Sequence, residues 1–173
     1  SGSCLAKGGE SVDRYPRFKL LISLLLPVLC SYAWSLEPGE VVVVNEGVAP
    51  GVILLWKAYV GRMSYITCNP LFFGDRVYYA SNGEGWGAAD RYDKLYCFSS
   101  DGSLLWSFQS SDGGNTTMNG VVASSDFLVV GCDNSYTYVL SHEEELLWKF
   151  KTGSGWVKSL SIGDVDGDGE MEI

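Results

Sequence analysis

The tripeptide Leu-Leu-Trp occurs three times, at 54–56, 104–106 and 146–148, and this recurrence restricts the fold more than any other feature of the chain. The copies lie 50 and 42 residues apart. Each is followed by polar–apolar alternation: Lys57-Ala58-Tyr59, Ser107-Phe108 and Lys149-Phe150-Lys151. Upstream segments align as well, 74–81 with 125–132 and 94–98 with 136–140. The difference of 8 residues between the two spacings fits an insertion near 83–91, where Gly83, Gly85 and Gly87 cluster. Each unit reads as four short strands, in the second unit 66–72, 76–81, 94–99 and 103–109, and in the third 119–123, 127–132, 136–141 and 145–151. Gly74-Asp75, Asp101-Gly102, Ser125-Asp126 and Asp133-Asn134 supply the turns. Asp101-Gly102 predicts a two-residue type I′ hairpin, with positive φ at both residues. After residue 40 no segment keeps a helical period.

Four strands recurring every 40–50 residues predict an all-β chain built as a β-propeller, with blades of four antiparallel strands. One such blade has two apolar faces and cannot cover both alone, whereas stacked blades cover each other. The recurring Trp offers each blade a large flat group to wedge against its neighbour. The chain holds two whole blades (about 66–110 and 117–151), part of a first (41–60) and the opening of another (155–173). A propeller takes at least about four blades, so an incomplete propeller is expected, completed by remaining blades of the same propeller or by self-association.

Composition narrows the class. Hydrophobic residues make up 46% of 173 and charged residues only 19%, which argues against disorder. A net charge of −9 argues against nucleic acid as a partner, since an acidic surface repels phosphate. Residues 14–33 differ from the rest: Arg14, Arg17 and Lys19 precede an apolar run over 20–29, then Ser31-Tyr32-Ala33. This layout is that of a signal peptide, or else a membrane anchor, with 1–13 a leader or a segment carried over from cloning. The run is shorter than the roughly 18–20 residues that span a bilayer. The remaining body, 34–173, is expected outside the cell or in the cell envelope. Residues 1–33 carry four cationic against two anionic side chains, so 34–173 carry −11. Of five cysteines, Cys4 and Cys30 leave with the signal, while Cys97 and Cys132 sit in apolar runs and read as small buried hydrophobes without a disulfide.

Residues 94–108, LYCFSSDGSLLWSF after Lys94, resemble the repeat of pyrroloquinoline-quinone-like propellers, and 136–150 repeat the pattern with Glu143-Glu144-Glu145 at the turn. The resemblance covers about 41–160. It implies the propeller fold but no single activity: some members are quinone-dependent dehydrogenases, and many are noncatalytic propellers of secreted, envelope or scaffold proteins. The dehydrogenases hold their cofactor with an adjacent cysteine pair, which this sequence lacks, so pyrroloquinoline quinone is not expected. Nucleophile elbow, Walker A and zinc-protease motifs are absent too, and no catalytic residue is assigned. The expected function is a binding or scaffold module with a protein or carbohydrate ligand. The alternatives are the front of a quinone-dependent dehydrogenase or propeller lyase, and an envelope-assembly factor that binds partner proteins.

The sharpest chemical signal is 164–173, DVDGDGEMEI, with carboxylates at Asp164, Asp166, Asp168 and Glu172 and glycines between. Ca²⁺ takes about six to eight oxygens, and alternate residues of a tight loop can aim theirs at one centre. The backbone oxygen of Glu170 would add another ligand. An EF-hand needs flanking helices, but 156–162 reads as a strand. The loop resembles instead the calcium loop of integrin-type (FG-GAP) propeller repeats, which implies Asp164, Asp166, Asp168 and Glu172 as side-chain ligands. Trp86 and Tyr92 flank the Gly-rich insertion and are the candidate exposed ligand contacts, since flat rings stack on sugars. His142, the one histidine, reads as a surface turn residue, and Asn115-Thr116-Thr117 is a glycosylation sequon.

Overall fold

A computed structural model describes residues 37–61, 69–83 and 90–173. The leader and signal expectations, Cys4, Cys30, Cys68 and Trp86 lie outside these described residues. Ten strands and no helix form among them; no helix there is long and apolar enough to cross a membrane. The fold is all-β, in three antiparallel sheets. The first is a hairpin of β1 (Val41–Ala49) and β2 (Val52–Ala58). The second is a meander of β3 (Leu71–Phe73), β4 (Arg76–Ala80), β5 (Leu95–Ser99) and β6 (Leu104–Phe108). The third repeats it with β7 (Met118–Ala123), β8 (Leu128–Cys132), β9 (Tyr136–Leu140) and β10 (Leu146–Lys151).

The inner strands β5 and β8 are almost wholly buried, which is why they read as unbroken apolar runs rather than alternations. Their two faces serve different neighbours. Val77, Tyr96 and Phe98 pack with Trp56 of the first sheet. Tyr78, Ala80, Leu95, Cys97 and Trp106 pack from the other face against Leu128, Val130, Tyr138 and Leu140 of the third. Alternation along each strand therefore puts every second residue into a different interface.

The joints between sheets repeat. Trp56 Nε1 donates to the carbonyl of Ser100 at 3.2 Å, in the turn after β5. Trp106 Nε1 donates to the carbonyl of His142 at 2.9 Å, in the turn after β9. A second link repeats beside them. Met118 N donates to Ser81 O at 3.2 Å, and Val157 N to Cys132 O at 3.2 Å. Residues 156–160 thus run along the third sheet in the place that β7 takes along the second. Gly131 permits this, because a Cβ there would stand 2.5 Å from the Val157 carbonyl.

Three local expectations are corrected. The turn at Asp101-Gly102 is not a two-residue type I′ hairpin. Only Gly102 has positive φ (98°), Gly102 N bonds Ser99 O, and Ser99 N bonds Ser103 O. This is a three-residue loop closed by one left-handed residue. The turn after β9 has the same form, with Ser141 N bonded to Glu145 O and Glu144 at φ 76°. Residues 156–162 form no strand: among the described residues no strand lies alongside to complete a ladder, and the segment instead docks its backbone on Cys132. Tyr92, expected at the surface, is 2% exposed. Its ring meets Tyr59 edge-on at 5.4 Å, and the Arg91 guanidinium lies 4.8 Å from its centre.

Candidate metal centre

The loop that follows residues 156–162 is shaped by its own carboxylates before any ion is considered. Asp164 accepts from Gly167 N at 2.6 Å and from Gly169 N at 3.0 Å. Asp166 Oδ1 accepts from Asp168 N at 3.2 Å, and Asp168 Oδ1 from Glu170 N at 2.8 Å. Short acidic side chains favour such turns because they reach the backbone two or three residues on. Gly167 and Gly169 supply the left-handed positions, at φ 81° and 91°. The base of the loop is closed by paired backbone bonds between Gly163 and Glu172, at 3.1 and 2.9 Å, and Glu172 Oε2 accepts from Val165 N at 2.7 Å.

This geometry brings Asp164, Asp166 and Glu172 together, each offering one oxygen within 4.8 Å of the others. Asp168 and Glu170 do not join that group. All five acidic side chains are exposed. Two oxygens that share one Ca²⁺ at about 2.4 Å stand at most about 4.8 Å apart, so the three converging oxygens fit around a single ion.

The other polar centres tie sheets together. His142 is half-buried, not a free surface residue. Its Nε2 lies 3.0 Å from the Ser124 carbonyl, which can only accept, so Nε2 carries the proton. Nδ1 then accepts from the Tyr78 hydroxyl at 2.8 Å, and the ring stacks on Phe73 at 5.2 Å. Arg76 donates to the same His142 carbonyl that Trp106 uses and pairs with Glu143. Nothing in the sequence around His142 marks it as a joint, because its partners come from 18 to 69 residues away.

Asp93 and Asp133 are buried at successive sheet boundaries. Asp133 meets Lys158 Nζ at 2.7 Å. Asp93 is held by neutral donors, the backbone N–H of Asp90 at 2.9 Å and the Thr116 and Thr117 hydroxyls at 3.4 Å. Burial pushes its carboxyl up to about 6. Cys97 and Cys132 are free and buried, and burial pushes their thiols up to about 11 and 12, so both are inert packing groups as expected. Asn115 of the sequon is half-buried, its amide oxygen bonded by the Thr117 hydroxyl at 2.7 Å and its amide nitrogen reaching Asp133 at 3.3 Å. No protein-family model matches the chain, and no curated protein matches it.

Proposed function

We propose that this chain is a segment of a β-propeller of the pyrroloquinoline-quinone-like repeat type, exported to the cell envelope or beyond, which serves as a binding or scaffold module and carries a structural Ca²⁺ in the 164–172 loop. The observation that carries the metal reading is the convergence of Asp164, Asp166 and Glu172 on one point in a loop already folded by its own Asx turns. A cation there offsets the mutual repulsion of five carboxylates. Backbone carbonyls and water complete the shell, as a hard cation of flexible coordination allows. The propeller reading is supported by the tryptophan joint, made twice in the same form between successive sheets.

The role of the ion in this reading is to fix the turn between the first two strands of a further blade. Calorimetric titration tests it. Ca²⁺ binds the chain with one site, Mg²⁺ binds more weakly because its rigid octahedral shell holds water, and Asp164→Asn with Glu172→Gln abolishes the heat. Absence of Ca²⁺ binding at millimolar concentration refutes the calcium assignment.

A further inference from the structure

Trp148 ends the series of joints without one. It stands six residues after His142, as Trp106 stands six after Ser100 and Trp56 six after Pro50. Trp56 and Trp106 are 7% and 9% exposed, whereas Trp148 is 49% exposed and its indole meets no acceptor among the described residues. Leu147, Phe150 and Trp156 are exposed with it. At the other end of the stack, the Pro50-Gly51 turn of β1–β2 occupies the place of the acceptor turns. Gly102 lies under Trp56, where a Cβ would stand 2.5 Å from the ring. Pro50-Gly51 is a tighter, two-residue turn, closed between Ala49 and Val52, with Gly51 at φ 76°; among the described residues nothing lies within 4 Å of where a Gly51 Cβ would be. Among the described residues, one Leu-Leu-Trp tryptophan stands without a turn and one turn without a tryptophan.

The sheets themselves are complementary in the same sense. By its Leu-Leu-Trp register, β1–β2 fills the third and fourth places of a four-stranded unit. Residues 156–160 fill the first place of another, through the Val157–Cys132 bond. Among the described residues each lacks what the other has.

We propose, resting on the stacked-unit reading above for the order of these places, that the Trp148 face takes the β1–β2 hairpin of a second copy of this chain. Trp148 lies over the partner's Pro50-Gly51 turn and donates its indole N–H to a turn carbonyl, as Trp106 does within the chain. The contact is head-to-tail, so each copy uses one face to receive and another to insert, and addition can continue. The 164–172 loop plays no part, so the contact forms with or without Ca²⁺.

Sedimentation of the full chain in chelator tests it, with two variants at exposed positions. Trp148→Glu spoils the face that takes the hairpin. Gly51→Asp fills the turn that docks on it while keeping a residue that tolerates the left-handed region. The wild-type mass rises with concentration, each variant alone stays monomeric, and an equimolar mixture forms a one-to-one dimer through the two intact ends. As a check that needs no substitution, wild-type indole emission shifts to the blue as concentration rises, because Trp148 leaves water. Self-association of the Gly51→Asp chain alone, of the Trp148→Glu chain alone, or a wild type that stays monomeric with unshifted emission across the micromolar range overturns the proposal. Loss of calcium binding with assembly intact would sink only the metal reading.

Discussion

Trp106 and Trp148 hold the same position in the same motif, yet one is 9% exposed and the other 49%. Around Trp106 stand Tyr78, with ring centres 5.9 Å apart, and the His142 carbonyl of the next sheet. Around Trp148 the corresponding partners are missing among the described residues. The difference teaches that Leu-Leu-Trp encodes an interface rather than a strand. β6 and β10 form equally well as local structure, but only β6 has its tryptophan covered. Stability is therefore concentrated at the joints, and the outer face of the third sheet contributes little to a lone chain.

The largest effect that could break this comparison comes from truncating the two rings. Trp106→Ala should cost about 3–5 kcal/mol in denaturant unfolding, because it empties a packed joint. Trp148→Ala in dilute protein should stay within about 0.5 kcal/mol, as for an exposed side chain. Equal losses would mean that the two environments are not different.

Asp93 and Asp133 sharpen the same comparison at the polar side of the joints. The folded Asp93 carboxyl holds its proton up to about 6, above the ordinary 3.8. The folded chain therefore binds more protons than the unfolded chain between those values. The contribution of Asp93 to stability is full below the lower value and is lost as pH rises through the upper one. Relative to Asp93→Asn, the wild type should lose on the order of 1–2 kcal/mol across that interval. A flat difference between the two pH profiles would contradict the burial of Asp93.

The smallest effect concerns the acceptor turns. Gly102 and Glu144 both lie in the left-handed region, and only the first is a glycine. Glu144→Gly should stabilise by about 1 kcal/mol, since a side chain there is strained. A destabilised variant would show that the Glu144 side chain does more than occupy the turn.

Much of this architecture was legible in the sequence, for a physical reason. The strands of the third sheet fall within about a residue of their expected bounds, because alternation and turn residues are local signals. What escaped was set by distant partners. His142 sits in its expected turn, but Tyr78, Phe73 and Trp106 make that turn a joint. Tyr92 is buried against Tyr59, a contact that no spacing predicts. Residues 156–162 alternate like a strand, yet a ladder needs a second strand. The acidic loop was legible in composition, and in the fold Asp164, Asp166 and Glu172 converge. Asp168 stands outside that group, its Oδ1 accepting from the Glu170 N–H. The expected turn type at Asp101-Gly102 failed because the dipeptide permits two loop lengths, and Ser99–Ser103 pairing selects the longer.

The most direct test of the tryptophan joints is hydrogen exchange at the indole N–H groups, followed by NMR in dilute protein. Trp56 and Trp106 should exchange slowly, protected by the Ser100 and His142 carbonyls, while Trp148 exchanges at close to the rate of a solvated indole. Protection of Trp148 equal to that of Trp106 in the monomer, or rapid exchange at Trp106, would contradict the account.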